Sequence, residues 1–297
     1  MLEIRALSKT YANGVHALAG VTLDVPRGMF GLLGPNGAGK SSLMRTLSTL
    51  QEADSGSATL SIPGEAAIDV LRDKDAVRRR LGYLPQDFGV YPKVSSLDLL
   101  NHFAVLKGIT QKGQRREVVE ALLQQVNLWD ARKRKLGTYS GGMRQRFGIA
   151  QALLGDPRLV IVDEPTAGLD PEERNRFLNL LAAIGENVAV ILSTHIVEDV
   201  TDLCPNMAIM NKGQVLLTGK PSDAIDALQH QVWRKQVDVA ELPTYETNHV
   251  VLSTRLVGGR PVIHVHSAND PGDGFAAVAP DLEDVYFQRL RLQSRTA

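Results

Sequence analysis

The sequence predicts an α/β fold with a parallel-sheet core, because buried strand patterns alternate with helical patterns over about the first 220 residues. Three short apolar runs, at 29–33, 159–162 and 188–192, have the character of central strands that are covered on both faces. Glycine-rich or polar residues follow each run, and after the first two a helical pattern comes next. Because parallel sheets bind ligands at the carboxyl edge of their strands, we expect a ligand site at these strand ends.

The composition suits a folded protein with one large domain and a smaller one. Of the 297 residues, 43% are hydrophobic and 22% are charged, and Lys+Arg and Asp+Glu each number 33. This balance argues against nucleic-acid binding driven by bulk charge, so we expect no nucleic-acid partner. The single cysteine, Cys204, suits a reducing compartment and is expected to be a packed side chain. No signal-peptide pattern or membrane-length apolar run occurs, which predicts a cytosolic or peripheral protein.

The sequence around the first central strand predicts an antiparallel β subdomain. Asn13-Gly14 is a hairpin signal between Tyr11 and Val15. Residues 21–25 alternate between apolar and polar side chains, and residues 56–62 have the pattern of a further strand. These segments are expected to lie beside the parallel core.

Residues 34–41 fit the phosphate-binding pattern G-x-x-x-x-G-K-[ST] at each fixed position, between the run 29–33 and a helical stretch at 42–47. Glycines let successive backbone N–H groups turn toward phosphate oxygens, and the helix N-terminus adds a partial positive charge there. Lys40 is expected to reach the β- and γ-phosphates, and the Ser41 hydroxyl to bind Mg²⁺. The sequence thus predicts a P-loop NTPase. Its expected nucleotide contacts are Gly34, Pro35, Asn36, Gly37, Ala38, Gly39, Lys40, Ser41 and Ser42.

Two adjacent carboxylates, Asp163 and Glu164, follow the apolar run 159–162. They are expected at the carboxyl edge of the parallel sheet. Asp163 is suited to hold Mg²⁺, directly or through water. Glu164 is one residue further on, so it points in another direction and can polarise the attacking water as a general base.

A second anion site is predicted at Ser140-Gly141-Gly142, which precedes a helical pattern. The serine hydroxyl, two flexible backbone amides and the helix N-terminus all favour a phosphate. Upstream, the apolar spacing at 97–106 and 118–126 predicts helices with an apolar face, within a helical subdomain at about 87–140. Asp170-Pro171 marks a further helix start.

In order and approximate spacing, these motifs resemble those of the ATP-binding-cassette (ABC) ATPases. The resemblance covers about residues 1–220, which it implies are a nucleotide-binding domain for ATP and Mg²⁺. Its motifs are the phosphate loop, Gln86, Ser140-Gly141-Gly142, Asp163-Glu164, Leu169-Asp170 and His195.

The resemblance implies a role for each remaining motif. Tyr11 would stack on adenine, although as a residue read alone it is equally a strand residue. Gln86 would sense Mg²⁺ and the γ-phosphate, and His195 would contact the γ-phosphate as a switch residue. Ser140, Gly141 and Gly142 would contact ATP held by a second ATPase subunit in a head-to-tail dimer, and Asp170 would communicate between the two sites.

Two features qualify the resemblance. Met143 stands where the family's commonest signature has glutamine. Because the expected phosphate donors are Ser140 and the glycine backbone, we expect ATP-driven closure to survive. Residues 221–297 differ in character and predict a small α+β extension, with strands at 232–239, 249–256 and 261–266 and a helix at 281–292.

The C-terminal extension carries a second resemblance. Its segment Leu282-Glu283-Asp284-Val285-Tyr286-Phe287 is similar to the tails of ATPase subunits that serve exporter-type permeases, including the ABC-2 drug-efflux group. His264 and His266 alternate on one predicted strand, but no further ligands lie nearby, so strand patterning accounts for them better than a metal site.

The leading interpretation is the ATP-hydrolysing subunit of an exporter, peripheral on the cytoplasmic face of the membrane. Its partners would be a permease and a second ATPase subunit, identical or related, and residues 88–107 would line the groove for a permease helix. The alternatives are a non-transport ABC ATPase, acting on ribosomes, on DNA or as a mechanical signalling subunit on a membrane protein, and a small-molecule phosphotransferase. The single cassette disfavours a ribosomal protein, and the absence of sustained heptads disfavours a DNA-maintenance protein. The presence of the Ser-Gly-Gly signature disfavours a phosphotransferase.

Overall fold

A computed structural model describes residues 1–89 and 91–296. Val90, in the predicted helical subdomain and groove segment, and Ala297, in the predicted extension, lie outside the described residues. The strands are β1 (Leu2–Thr10), β2 (His16–Val25), β3 (Gly28–Leu33), β4 (Ser55–Leu60), β5 (Ile68–Asp69), β6 (Leu81–Leu84), β7 (Leu159–Asp163), β8 (Ala189–Thr194), β9 (Asn206–Asn211), β10 (Gln214–Gly219), β11 (Val232–Gln236), β12 (Val250–Val257), β13 (Arg260–His266) and β14 (Ala276–Ala277). The α-helices are α1 (Lys40–Leu47), α2 (Lys74–Arg80), α3 (Ser96–Leu106), α4 (Lys112–Gln125), α5 (Gly141–Ala152), α6 (Pro171–Gly185), α7 (Val197–Leu203), α8 (Pro221–Asp226), α9 (Leu242–Asn248) and α10 (Leu282–Thr296).

The core is a six-stranded sheet of order β10-β9-β3-β8-β7-β6, in which the last five strands run parallel and β10 is antiparallel. Side chains alternate along β7, with Val160 and Val162 in one hydrophobic cluster and Leu159 and Ile161 in the other. The wholly apolar strands are thus covered on both faces, as predicted. The α/β fold class is confirmed, although β9 and β10 were not predicted.

Strand register brings the predicted chemistry to one edge of the core sheet. Leu33 in β3 pairs with Thr194 in β8, and Ser193 in β8 pairs with Asp163 in β7. The phosphate loop, Glu164 and His195 follow these three strand ends. They therefore share the carboxyl edge of the sheet.

A separate antiparallel sheet of order β2-β1-β4-β5 packs its apolar side chains with α1 and one face of the core sheet. The predicted hairpin lies between β1 and β2, where Tyr11 N donates to Val15 O at 2.9 Å and Gly14 N donates to Tyr11 O at 2.9 Å. Gly14 has a φ of 83°, a conformation that glycine adopts without strain.

The segment after Gln86 contains the helices α3 and α4, as the apolar spacing predicted. Leu99, Leu100 and Ala104 are buried, but Val105 and Leu106 are 43% and 70% exposed. The predicted apolar face is therefore buried over its first part and exposed at its end. Helical spacing gives the positions of these side chains along the helix, but it does not say which of them the described part of the chain covers.

The C-terminal region is a four-stranded antiparallel sheet of order β12-β13-β11-β14 with α10 against it. β12 and β13 are present as predicted and are joined by a turn at Gly258-Gly259, whereas β11 ends at Gln236 rather than at 239, and α9 was not predicted. Leu252, Leu282 and Val285 join the same hydrophobic cluster as Met207 and Ile209 of the core. We keep residue 220 as the proposed boundary between two packed domains.

The described helices do not include one that is long and apolar enough to cross a bilayer. His264 Nδ1 lies 2.9 Å from Asp284 Oδ1, and His266 Nε2 lies 3.1 Å from Gln231 Oε1. No group of three potential metal-ligating side chains occurs in the described part of the chain. Hydrogen-bonding distances to Asp284 of α10 and to Gln231, which directly precedes β11, thus account for both histidines.

Candidate functional site

The phosphate loop depends on two glycines that have no room for a side chain. A Cβ added to Gly39 would lie 2.3 Å from Ala17 O, and one added to Gly34 would lie 2.5 Å from Met210 O. Gly39 also has a φ of 103° and precedes Lys40, the first residue of α1. The loop therefore leads directly into the N-terminus of α1, where binding of an anion is favoured.

Lys40 is buried within this loop, with a side chain only 4% exposed. Its Nζ donates to Gly34 O at 2.6 Å and to Pro35 O at 3.3 Å, and lies 3.6 Å from Glu164 Oε1. Burial lowers the pKa of the Lys40 ammonium, and the charges of Glu164 and Asp163 oppose this shift. The ammonium is thus held by three oxygen atoms that a phosphate group can replace.

Glu164 is where the predicted catalytic residues meet. Its Oε2 lies 3.3 Å from His195 Nδ1 and accepts a hydrogen bond from Gln86 Nε2 at 3.3 Å. Glu164 has a φ of 47°, in the left-handed region, and its N–H donates to Ser193 O at 2.8 Å. With Lys40 on Oε1, one carboxylate contacts residues from three other parts of the chain.

Asp163 has the properties of a metal ligand. The residue is 3% exposed, and its Oδ1 is buried without a hydrogen-bond partner among the described residues. Burial raises the pKa of this carboxyl, while the hydroxyls of Ser193 and Ser41 act in the opposite direction. The hydroxyl of Ser41 and the carboxylate of Asp163 are the oxygen donors that Mg²⁺ prefers, so these residues fit the ion.

We expect Asp163→Asn to raise the free energy of unfolding at neutral pH by about 1 kcal/mol, because it removes a buried charge with an unpartnered oxygen. A raised folded-state pKa means that wild-type stability falls as pH rises through the titration of the Asp163 carboxyl. The stability gain of Asp163→Asn over the wild type should therefore shrink toward acid pH. Thermal unfolding without nucleotide or Mg²⁺ should show the gain as a melting temperature roughly 2 °C higher.

Asp130→Asn, at an exposed position, is the matched control and should leave the melting temperature unchanged. A lower melting temperature for Asp163→Asn would contradict the conclusion that Asp163 is destabilising without a metal ion.

The signature segment is fixed by its own hydrogen bonds. Ser140 Oγ accepts from Met143 N at 3.2 Å and so caps α5. The preceding Tyr139 is buried, and its hydroxyl donates to Ser96 Oγ at 2.8 Å. Because the cap uses the backbone of residue 143, the methionine side chain is free to pack against the core.

Within the described residues, no hydrogen bond or ion pair joins Ser140, Gly141 or Gly142 to the phosphate loop. Gly141 does line a cleft of about 540 Å³ together with Gln86, Glu164 and Leu169. One side of the signature helix therefore faces the catalytic edge of its own chain. The donors at the N-terminus of α5 therefore do not bind the described phosphate loop of the same chain.

Tyr11 and Asp170 occupy structural positions beside the site. The Tyr11 hydroxyl lies 2.9 Å from Ser42 Oγ and donates to Gln51 Oε1 at 2.8 Å, which fixes the tyrosine next to α1. Asp170 Oδ1 accepts from Glu173 N at 2.9 Å and caps α6, as predicted.

Three residues near the site were not singled out from the sequence: Thr166, Arg174 and Asp199. Asp199 lies in α7 between Val197 and Val200, both of which are buried. An acidic residue on a buried helical face was the signal that could have identified it.

Comparisons with known proteins agree with this geometry. Residues 18–167 match the family described as ABC transporter. The daunorubicin/doxorubicin resistance ATP-binding protein DrrA of Streptomyces peucetius is 33% identical over 91% of this chain and 78% of its own length. The methionine import ATP-binding protein MetN of Bordetella avium is 33% identical over 92% of this chain and 75% of its own length.

A solved structure gives the same result for the fold. The ATP-binding cassette MJ0796, a dimer in a post-hydrolysis state bound to ADP and Pi, is 25% identical, with a TM-score of 0.65. The similarity covers 74% of this chain and 98% of MJ0796.

Proposed function

The chain belongs to the ABC transporter family of ATP-binding proteins, and from this membership we propose that it is the ATP-hydrolysing subunit of an exporter that powers a separate membrane permease. ATP binding and hydrolysis are the activities of this family. Export is supported by the drug-resistance relative and by the C-terminal segment 282–287, while the methionine importer shares the cassette. The observation that carries the ATPase mechanism is the convergence of Lys40, Gln86 and His195 on Glu164.

In the proposed reaction, the loop 34–41 surrounds the β- and γ-phosphates of ATP with backbone N–H groups. Lys40 leaves Gly34 O and Pro35 O for the phosphate oxygens, which carry more negative charge than a carbonyl. Its departure also frees Oε1 of Glu164. Glu164 then accepts a proton from the attacking water, whose oxygen bonds to the γ-phosphorus as the bond to the β–γ bridging oxygen breaks and ADP leaves with that oxygen. Gln86 and His195 keep the carboxylate and the γ-phosphate in line.

Ser41 and Asp163 would hold Mg²⁺, with Gln86 close to the same position. When bound there, the ion neutralises charge that develops on the phosphate oxygens. The unpartnered, buried Oδ1 of Asp163 supports this assignment.

We further propose that Ser140, Gly141 and Gly142 bind ATP held by a second subunit. The absence of a contact between these residues and the described phosphate loop of the same chain supports this, and the dimeric state of MJ0796 is a precedent. Because all motifs needed for hydrolysis are present in this chain, two identical subunits would form two equivalent sites.

The permease would bind in a groove of about 690 Å³ between α2, α3 and the end of α5. Leu50 and Leu106, which line it, are 66% and 70% exposed, and Arg78 and Arg79 add positive charge. Among the described residues of the expected segment 88–107, those that line this groove are Phe103, Leu106 and Lys107. We propose that its occupant is a cytoplasmic helix of the permease with an apolar face and an acidic residue.

The test uses Glu164→Gln as bait, expressed in the native cells and purified from gently solubilised membranes with ATP present. We expect a polytopic protein with several spans of roughly 20 apolar residues to co-purify, identified by mass spectrometry. Adding Leu106→Glu to the bait should reduce its recovery at least about tenfold, because a charge replaces an exposed apolar contact.

Leu256→Glu is the matched control, since Leu256 is 73% exposed but lies on the C-terminal hairpin, and it should leave recovery unchanged. Recovery of only ribosomal, DNA-bound or soluble partners would contradict the exporter proposal and leave the ATPase chemistry intact. A membrane protein that binds but transports nothing would instead support the signalling alternative.

A further inference from the structure

Asp199 is a fully buried carboxylate with a complete set of partners. Its exposed fraction is 0%, and it lies in α7, four residues after His195. Oδ1 accepts two hydrogen bonds from Arg174, from Nε at 2.8 Å and from Nη2 at 2.6 Å. Oδ2 accepts one from Thr166 Oγ1 at 2.8 Å. Charge-assisted bonds from two donors to one oxygen, with a third bond to the other oxygen, fix the relative orientation of the groups that they join.

The three residues of this network belong to three segments that end in or begin at the catalytic edge. Thr166 is two residues after Glu164, whose backbone is in the left-handed region. Arg174 lies in the first turn of α6, after Asp170, and Asp199 lies in the helix that follows His195. One carboxylate therefore ties together the segments that carry the proposed base and the proposed switch residue.

We propose that Asp199 is a positioning residue for ATP hydrolysis, which holds Glu164 and His195 in their mutual geometry. Glu164 Oε2 and His195 Nδ1 are 3.3 Å apart, and each directly follows a different strand of the sheet, β7 and β8. Displacements of about 1 Å at a reacting group reduce rates on the order of 10²-fold. The inference rests on the proposed role of Glu164 as the base.

A purely stabilising role explains this network less well. A buried ion pair gives little net stability compared with apolar residues of similar size, because both charges lose their hydration. Arg174 is also only partly buried, with a side chain 30% exposed, so the segments could pack without it. The network fixes the positions of three segments relative to one another, and a base and a switch residue need such fixed positions to stay aligned.

The adjacent residue of α6 extends the same restriction to the signature helix. Glu173 Oε2 accepts from Arg146 Nη1 at 2.8 Å, and a Cβ added to Gly142 would lie 2.2 Å from that same oxygen. The first turn of α6 is thus held to α5 through Glu173 and to α7 through Arg174. Asp199 therefore fixes a turn that also contacts the signature segment.

The test compares Asp199→Asn and Thr166→Val with the wild-type protein in steady-state ATPase assays. We expect Asp199→Asn to lower kcat at least about tenfold while KM for ATP changes less than about twofold, because alignment is lost and the phosphate loop is untouched. Thr166→Val removes a single hydrogen bond and keeps the ion pair, so it should show a smaller loss of kcat with the same unchanged KM. Asp202→Asn, exposed on the same helix, is the control and should retain wild-type kcat.

A second readout separates positioning from a general loss of structure. In single-turnover assays, adding Asp199→Asn to Glu164→Gln should lower the residual rate less than about twofold, because Asp199 aligns the Glu164 carboxylate with His195 and Glu164→Gln has already removed that carboxylate. If Asp199→Asn does not fold, Thr166→Val alone carries both measurements.

Wild-type kcat in folded Asp199→Asn or Thr166→Val would overturn the positioning role, whatever the behaviour of Glu164→Gln. A full tenfold further loss in the Glu164→Gln background would overturn it too. Wild-type turnover by Glu164→Gln itself would instead reject the base assignment on which the inference depends.

Discussion

Replacing Glu164 with glutamine should slow ATP hydrolysis by on the order of 10³-fold and leave ATP binding intact. The amide cannot accept a proton from the attacking water, yet it keeps the size of the carboxylate. It also removes the negative charge that lies 3.6 Å from Lys40 Nζ, so the ammonium is freer to move to the phosphates. Hydrolysis is measured by phosphate release, and binding by calorimetry.

The same variant should accumulate as an ATP-bound dimer, since closure no longer ends in hydrolysis. Light scattering should give twice the 32.3 kDa of one chain with ATP and Mg²⁺, and a single mass without them. Glu172→Gln, on the exposed side of α6, is the control and should hydrolyse ATP at the wild-type rate. A variant that stays monomeric with ATP at high protein concentration would show that the dimer needs the membrane partner or does not form.

Replacing Lys40 with alanine should abolish detectable ATP hydrolysis and weaken nucleotide binding. The side chain is the buried cation of the phosphate loop, and its loss removes a charge-assisted donor from the β- and γ-phosphates. We expect kcat/KM to fall by at least about 10³-fold, the range for losing such a group from a preorganised site. Both quantities are measured as for Glu164→Gln, with a fluorescent nucleotide for weak binding.

Lys93→Ala is the matched control, because Lys93 is exposed and lies outside the phosphate loop. The two catalytic variants should differ in one respect: Glu164→Gln binds ATP and forms the dimer, whereas Lys40→Ala does neither. Wild-type turnover by Lys40→Ala would refute the phosphate-loop assignment.

The features that the sequence predicted correctly are those set by neighbouring residues. The loop 34–41 is specified by local spacing, and the strand runs 159–162 and 188–192 by continuous apolar character. The helix start at Asp170 is also local, and the cap is present. Parallel pairing then places the strand ends at one edge of the sheet without further information.

The features that were missed or wrong depend on contacts between distant residues. Gln86 and Glu164 are 78 positions apart, so their hydrogen bond required the structure. The exposure of Leu106 depends on what covers α3, which helical spacing does not contain. Asp199, 33 positions from Thr166, was overlooked for the same reason.

The close packing of Gly142 against Glu173 changes how genetic results on the signature motif should be interpreted. A Gly142→Ala chain keeps every backbone N–H that a phosphate could use, but its new methyl group collides with Glu173. Inactivity of such a chain could then come from displacement of Glu173 away from Arg146 inside one subunit, and would not by itself report loss of the proposed contact with a second subunit's nucleotide. A second-site suppressor that shortens residue 173 would expose the difference, because it restores internal space without adding a phosphate donor.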